Sequence, residues 1–201
     1  MTPQYYIIYK PFGMLSQFSR EHESHLTLAD LKMDFDKDIY PVGRLDKDSE
    51  GLLILTNDKK LTDALLNPKN KHWRTYWVQV DNIPTKQAIQ QLNQGVDIKL
   101  KKKIYRTQPA KVHLLNTVPN LPERTPPIRY RKEIPTAWLQ ISLIEGKNRQ
   151  VRRMTASVGF PTLRLVRSKI VDLSLQDMVP GEVRPLDKTT MYKLLQLNKV
   201  R

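Results

Sequence analysis

One short segment of the chain places a carboxylate where it could do chemistry. The stretch from Gly43 to Gly51 sets Asp46 beside Arg44, between two apolar runs. A carboxylate near an arginine stays ionised, because the opposite charge favours the charged form. An ionised carboxylate serves as a nucleophile or base rather than as a proton donor. Asp46 is therefore the leading candidate for a catalytic residue.

The same segment admits two other interpretations. Asp, Ser and Gly are common in turns, so these residues could form an ordinary connecting loop. Asp46, Asp48 and Glu50 alternate, so they could also be the metal ligands of a nuclease. Metal sites usually draw oxygen ligands from several elements, and no histidine lies nearby in the sequence. The metal interpretation is the weaker of the two.

A second stretch, from Glu145 to Met154, carries a cluster of arginines. An apolar run reaches Gly146 and changes there to helical spacing, which brings Arg149, Arg152 and Arg153 to the first turns of the predicted helix. A helix N-terminus with guanidinium groups is suited to binding an anion, and one of these arginines could equally pair with a loop carboxylate. A solvated basic helix face is the plain alternative.

A third stretch, residues 72–77, sets aromatic side chains among basic ones and includes Tyr76. Aromatic rings can stack on bases, although aromatic residues in strands more often fill a core. Two basic tracts, 99–106 and 124–132, fit phosphate contacts or solvated edges. The first tract contains Lys101, Lys102 and Lys103.

Composition limits the class of protein. The 201 residues carry a formal charge of +14 and include no cysteine, which excludes disulfide scaffolds, thiolate zinc sites and cysteine nucleophiles. No apolar run approaches the roughly 20 residues that span a bilayer, and the N-terminus lacks the layout of a signal peptide. We therefore expect a cytoplasmic protein with a polyanionic partner and no membrane association.

The elements that position these stretches are short strands and a few helices. Apolar runs and alternation predict strands at 5–9, 52–55, 75–80 and 137–144, among others, and helical spacing predicts helices at 148–158 and after Asp187. Strands outnumber helices without regular βαβ alternation, so we predict an α+β fold with a large, mostly antiparallel sheet flanked by helices. One domain is expected over 1–201, with a Pro- and Arg-rich surface loop at 116–135.

The motifs, taken in order, resemble one enzyme family. The segments 9–16, 43–53, 75–78 and 145–154 together resemble the RsuA/RluB/RluE/RluF family of ribosomal RNA pseudouridine synthases. The resemblance runs from Tyr5 to Arg184, and it is greatest to the large-subunit branch, which lacks an N-terminal S4 RNA-binding domain. It implies the family fold, a mixed sheet in two lobes around a central cleft. It also implies conversion of uridine to pseudouridine in rRNA, with 23S rRNA as the expected substrate.

The resemblance also implies roles for single residues. Asp46 matches the catalytic aspartate, Tyr76 the tyrosine that stacks on the target base, and Arg152 the basic residue that pairs with the aspartate. Arg44 matches an arginine that fills the space of the flipped uridine, and Val151 would pack near the base. The remaining expected RNA contacts are Lys10, Arg149, Arg153 and the three lysines at 101–103. The isomerisation transfers no electrons, so we expect no redox cofactor. We also expect no metal, and a monomer.

Two features depart from the family pattern, and one further class of protein stays open. Arg74 stands where relatives often carry lysine, and the loop 116–135 has no evident family equivalent. A basic RNA-binding protein that assists ribosome assembly without catalysis would also explain the charge. The metal-dependent nuclease is the remaining rival, and it predicts cleaved RNA.

Overall fold

The computed structural model describes residues 2–128 and 134–197. It divides the chain into two compact units, one made of residues 1–72 with 167–201, and the other of residues 73–166. The sequence predicted one domain over the whole length. The expected loop at 116–135 has neither helix nor strand at 116–128 and 134–135, and the rest of it lies outside the described residues.

Besides two short 3-10 helices at 28–30 and 68–70, the N-terminal part of the first unit has three strands and an α-helix. They are β1 (Tyr5–Lys10), β2 (Tyr40–Pro41), β3 (Glu50–Thr56) and α1 (Lys59–Leu66). β1 and β2 both pair antiparallel with β3, whose seven residues are all buried. A strand buried on both faces explains the continuous apolar run at 52–55.

The second unit follows in the chain with most of the remaining elements. They are β4 (Arg74–Asp81), α2 (Lys86–Gln94), β5 (Asp97–Leu100), β6 (Lys103–Arg106), β7 (Lys111–Leu114), β8 (Thr136–Leu143), α3 (Gln150–Ser157) and β9 (Thr162–Ile170). β8 pairs antiparallel with both β4 and β7, and β5 and β6 form a separate antiparallel hairpin. The last four residues of β9 belong to the first unit.

The chain then completes the first unit. The elements are β10 (Leu173–Ser174), β11 (Val183–Leu186) and α4 (Lys188–Leu194). β11 pairs antiparallel with β1. The strand order is therefore β11-β1-β3-β9 within the first unit and β9-β4-β8-β7 within the second. The α+β class is confirmed, and every strand pair whose register is described is antiparallel.

The core of the second unit lies against the arginine-bearing helix. Residues of β4, β8 and α2 form one buried apolar cluster, and α3 adds Val151 and Met154 to it. This burial fixes the helix rotation, so that the neighbouring Arg152 and Arg153 remain partly exposed. None of the described helices is long and apolar enough to cross a membrane.

One buried carboxylate joins three parts of the first unit. Asp58 caps the N-terminus of α1, accepting from the amides of Lys60 and Leu61, and its other oxygen accepts the hydroxyls of Tyr5 and Tyr192 at 2.7 Å each. Burial and the hydrogen bond to Asp58 raise the pKa of Tyr192 to about 12. Strand β1, helix α1 and helix α4 are thereby tied to one another.

Candidate active site

Asp46 lies on the connection between β2 and β3, in the first unit. Its side chain is half-buried, and its neighbours Leu45 and Ser49 are buried. The amide of Ser49 donates to the Asp46 carbonyl at 3.0 Å and closes a turn. Arg44 is exposed. The carboxylate is therefore presented by a short turn anchored on both sides by buried residues.

The segment after β1 holds this turn through hydrogen bonds to its backbone. The Ser16 hydroxyl donates to the Leu45 carbonyl at 2.8 Å and accepts from the Leu45 amide at 3.0 Å. The Gly13 amide donates to the Lys47 carbonyl at 2.8 Å. Both residues that flank Asp46 are thus fixed. The segments 9–16 and 43–53, which the sequence presented as separate motifs, form one substructure.

Lys10, for which the sequence predicted an RNA contact, is buried. Its side chain is 0% exposed, and its ammonium group donates to the carbonyls of Met14 at 2.7 Å and Pro11 at 3.0 Å. Burial lowers the pKa of Lys10 to about 7, and the carboxylates of Glu50, Asp48 and Asp46 oppose the shift. A lysine without exposed surface offers no charge to a phosphate. Lys10 instead fixes the turn that carries Gly13.

The strand that follows Asp46 passes very close to β9. At Gly51, with φ of +106°, a Cβ atom would come within 2.4 Å of the Arg167 carbonyl oxygen. Arg167 is buried and donates through Nε to the Leu52 carbonyl at 2.7 Å. Only glycine permits this backbone approach. Gly51 therefore sets the end of the segment that presents Asp46.

Tyr76 lies in the middle of β4, in the second unit. It is paired with Ile141 on β8, is half-buried and packs against the apolar cluster of this unit. Next to it, Thr75 and Ser142 share a hydroxyl hydrogen bond of 2.8 Å across the same strand pair. One side of the ring is held by the core while part of it stays accessible. This is compatible with a stacking surface.

The arginines of α3 differ in their surroundings. Arg149 is exposed and is the N-cap residue with φ of +52°, so the helix begins two residues later than the sequence predicted. Arg152 is half-buried, and its Nη1 donates to the Thr162 carbonyl at 3.3 Å. Val151 is buried in the core. Of these three residues, only Arg149 is exposed.

Arg153 is engaged within the protein. Its Nε and Nη2 donate to the carbonyl and side chain of Asn148, and its Nη1 donates to the Lys99 carbonyl on β5. An arginine with these acceptors links α3 to the hairpin of β5 and β6. Its contact with RNA stays a prediction. The hydrogen bonds of Arg153 join two parts of the protein.

Sequence reasoning missed Glu145 as a structural centre. Its carboxylate accepts from the Tyr105 hydroxyl at 2.6 Å, the Gln108 amide at 2.9 Å and the Gln150 side chain at 2.5 Å. The hydrogen bond to Glu145 raises the pKa of Tyr105. An acidic residue inside a strongly basic stretch was the available signal. Glu145 binds the hairpin to the start of α3.

The hairpin of β5 and β6 presents the predicted lysines. Lys101 and Lys102 form its two-residue turn and Lys103 starts β6, and all three are exposed. Ile104 beside them is 71% exposed. A protruding hairpin with adjacent cations suits contact with phosphates.

The structure assigns the predicted residues to two groups. Asp46, Arg44 and Lys10 belong to the first unit. Tyr76, the α3 residues and the three lysines belong to the second. Among residues 2–128 and 134–197, no group of three or more His, Asp or Glu side chains is arranged to hold a metal ion. The alternation of Asp46, Asp48 and Glu50 therefore does not form such a site.

A family model and the similar proteins of known name all indicate the same enzyme family. Residues 4–157 match the family model described as RNA pseudouridylate synthase. A ribosomal large subunit pseudouridine synthase E from Vibrio parahaemolyticus is 51% identical over 176 residues, covering 88% of this chain and 71% of the relative. The protein of the same name from Xanthomonas axonopodis pv. citri is 48% identical over 87% of this chain and 89% of the relative.

More distant relatives share the same enzyme class. A dual-specificity RNA pseudouridine synthase from Escherichia coli is 32% identical over 94% of this chain and 56% of its own length. A crystal structure of a pseudouridylate synthase superposes with a TM-score of 0.76 at 26% identity, covering 96% of this chain and 74% of that one. The similarity therefore extends over both compact units.

Proposed function

Because the chain belongs to the RNA pseudouridylate synthase family, we propose that it isomerises a specific uridine in the RNA of the large ribosomal subunit. The protein is an enzyme that converts uridine to pseudouridine in RNA. The choice of large-subunit RNA rests on one observation, the identity of about half to relatives named for that subunit. We place the reaction in the cytoplasm and propose that a monomer carries it out.

The reaction needs a carboxylate, and it requires the uracil base to rotate. The N1–C1′ bond of the uridine breaks, the uracil rotates, and C5 bonds to C1′ while C5 loses a proton and N1 gains one. Substrate and product are isomers, so no electron is gained or lost. We propose that Asp46 stabilises the positive character that develops at C1′ or bonds to the substrate transiently. The fixed turn around Leu45 supports this role, because a carboxylate held in place needs little rearrangement during the reaction.

The other residues would handle the base and the strand. We propose that Tyr76 stacks on the turning base beside Val151, and that Arg152 pairs with the catalytic carboxylate and orients it. Arg44 is exposed, as a residue must be to fill the space that a flipped nucleotide leaves. Flipping is required because C1′ and C5 cannot exchange places within a stacked helix, and it costs a few kcal/mol.

Binding of the strand would come from exposed cations. The hairpin lysines and Arg149 are all exposed and belong to the same unit. Each phosphate that they neutralise releases counterions, which makes the affinity dependent on salt. We propose that this surface holds the RNA while Asp46 acts on the flipped nucleotide.

The test is to modify defined RNAs with the purified protein. Transcripts of 23S and 16S rRNA are incubated with the wild-type chain and with Asp46→Asn, and pseudouridines are mapped by mass spectrometry after nuclease digestion. We expect one uridine of the 23S transcript to be converted by the wild type alone. Conversion of 16S rRNA instead would overturn the large-subunit proposal, and intact RNA without any pseudouridine would favour the non-catalytic assembly protein.

A further inference from the structure

The first unit contains an aromatic cavity that is lined by none of the residues we propose to act on the RNA. It has a volume of about 510 Å³ and is lined by residues 16–19, 35–37 and 39–41. Its aromatic lining residues are Phe18, Phe35 and Tyr40. A cavity of this size can hold a large side chain or small molecule, since ligand pockets begin at about 300 Å³.

Two of the three aromatic rings contact other rings of the first unit, and the third is exposed. Phe35 contacts Phe18 and Tyr6 in edge-to-face geometry, with ring centroids 5.6 and 5.2 Å apart. Tyr40, in contrast, is 63% exposed at the rim. The exposed Tyr40 ring offers an accessible aromatic face beside the cavity.

The charge of the surrounding stretch is opposite to that of the protein. Residues 16–41 hold six Asp or Glu against three Lys or Arg, a net charge of −3, whereas the whole chain has +14. One of the three cations, Arg20, is paired with Asp30. Asp36 lies in the cavity lining and accepts from the Gln4 side chain through one oxygen at 2.6 Å. The other charged residue of the lining is the cation Lys37, so the negative charge belongs to the stretch as a whole and not to the lining. The field of this stretch repels RNA phosphates and attracts cationic groups.

We propose that the aromatic cavity binds arginine or lysine side chains of an extended basic protein segment. A guanidinium or ammonium group over an aromatic face is stabilised by the ring quadrupole, and nearby carboxylates add attraction. The cavity adjoins the Asp46 turn through Ser16, which lines it and holds Leu45. The occupant would therefore sit beside the site of chemistry, as expected for a basic protein bound to the same RNA. The inference does not depend on which uridine is modified.

The experiment uses the full chain and two probes. A fluorescein-labelled nonapeptide of alternating arginine and glycine is titrated by anisotropy, and ¹⁵N-labelled protein maps the site by NMR. Unlabelled hexauridylate is the second probe. We expect the peptide to shift the amides of residues 16–19 and 35–41, and hexauridylate to leave them unmoved. Absence of peptide binding up to millimolar concentration overturns the proposal.

Variants separate the cavity from the general surface. Tyr40→Ala should weaken the peptide about five-fold or more, and Asp36→Lys should weaken it further. Val179→Ala is the matched control, because Val179 is also an exposed apolar residue of the first unit and its amide donates to the carboxylate of Glu182. All three variants should convert a bare RNA transcript at the wild-type rate. Equal peptide affinity for Tyr40→Ala and wild type contradicts the proposal.

Two further outcomes would assign the cavity to another occupant. Shifts of its amides with hexauridylate, or loss of turnover on bare RNA in Tyr40→Ala, would make it an RNA site. Shifts that depend on protein concentration alone would make it an interface between two copies of the chain. Either result overturns the assignment to a basic segment and leaves the isomerase activity untouched.

Discussion

The Asp46 turn and the basic hairpin are fixed by different means. The turn is held through its backbone by Ser16, by the Gly13 amide and by the close approach at Gly51. Buried Lys10 in turn fixes the segment that carries Gly13. The hairpin is held mainly by side chains at its base, with Glu145 as the shared acceptor. Buried hydrogen bonds are costly to break, whereas partly exposed ones are compensated by water. Changes near the turn should therefore affect stability and turnover, and changes in the hairpin should affect RNA affinity.

The largest effect is expected at Gly51. Gly51→Ala would drive a Cβ atom into the Arg167 backbone, so we expect a loss of about 4 kcal/mol or more in the free energy of unfolding. Gly13→Ala is the control, because Gly13 has φ of +82° but no atom within 4 Å of the added Cβ. It should cost about 1 kcal/mol from backbone strain alone. Urea unfolding of both variants measures the difference, and equal losses would refute the close approach as the cause.

Lys10 should make stability depend on pH. The pKa of Lys10 is about 7 in the folded state and 10.5 in a free lysine. As the pH rises, the folded protein therefore releases this proton at a lower pH than the unfolded chain does. The free energy of unfolding contributed by Lys10 therefore rises from pH 7 to 10.5 and is constant below 7. Relative to Lys10→Met, the wild type should gain about 2 kcal/mol between pH 7 and 9. Urea unfolding at both pH values tests this, and parallel pH curves would contradict it.

Substitution of Glu145 should have an intermediate effect, and this effect should concern the hairpin rather than the Asp46 turn. Glu145→Gln weakens the contacts to Tyr105 and Gln150, so we expect a loss of about 1 kcal/mol in stability and several-fold weaker RNA binding. The pKa of Tyr105 should fall towards that of free tyrosine, which ultraviolet titration detects. Asp97→Asn is the control, since its 3.6 Å ion pair with Arg106 is exposed. If both variants bind RNA alike, Glu145 does not position the hairpin.

The smallest effect on stability is expected at the hairpin tip. Replacing Lys101, Lys102 and Lys103 by alanine should change the free energy of unfolding by less than about 0.5 kcal/mol, because all three are exposed. The slope of log affinity against log salt should decrease by about 2, in proportion to the lost phosphate contacts. The control removes Lys59, Lys60 and Lys69, exposed lysines of the first unit. An equal change of slope in the control would place the RNA elsewhere.

Much of the fold follows from the sequence because its signals are local. The apolar run at 52–55 and the alternation at 75–80 predicted β3 and β4. A helix was predicted to begin after Asp187, and the Asp187 side chain caps α4 by accepting from the Thr190 amide. β6 was missed because its four residues are mostly exposed and lack the alternation of a half-buried strand. Exposed strands leave little trace in hydrophobic periodicity.

The site was predicted less evenly. The order of motifs identified Asp46, Tyr76 and Arg152 as candidates, and their roles stay predictions. The burial of Lys10 was not predicted because a lysine is normally exposed, and this burial depends on carbonyl groups that become available only when the turn folds. The links made by Glu145 and Arg153 join residues about 40 and 54 positions apart, so no local pattern could reveal them.

The most direct test of the account is turnover by Asp46→Asn on the large-subunit RNA. The amide keeps the size of the side chain but removes its charge, so pseudouridine formation should fall by at least about a thousand-fold. RNA affinity and urea stability should stay close to the wild type, because the turn is held through Leu45, Lys47 and Ser49 rather than through the carboxylate. Near-normal turnover by this variant, with pseudouridine confirmed by mass spectrometry, would contradict the central claim.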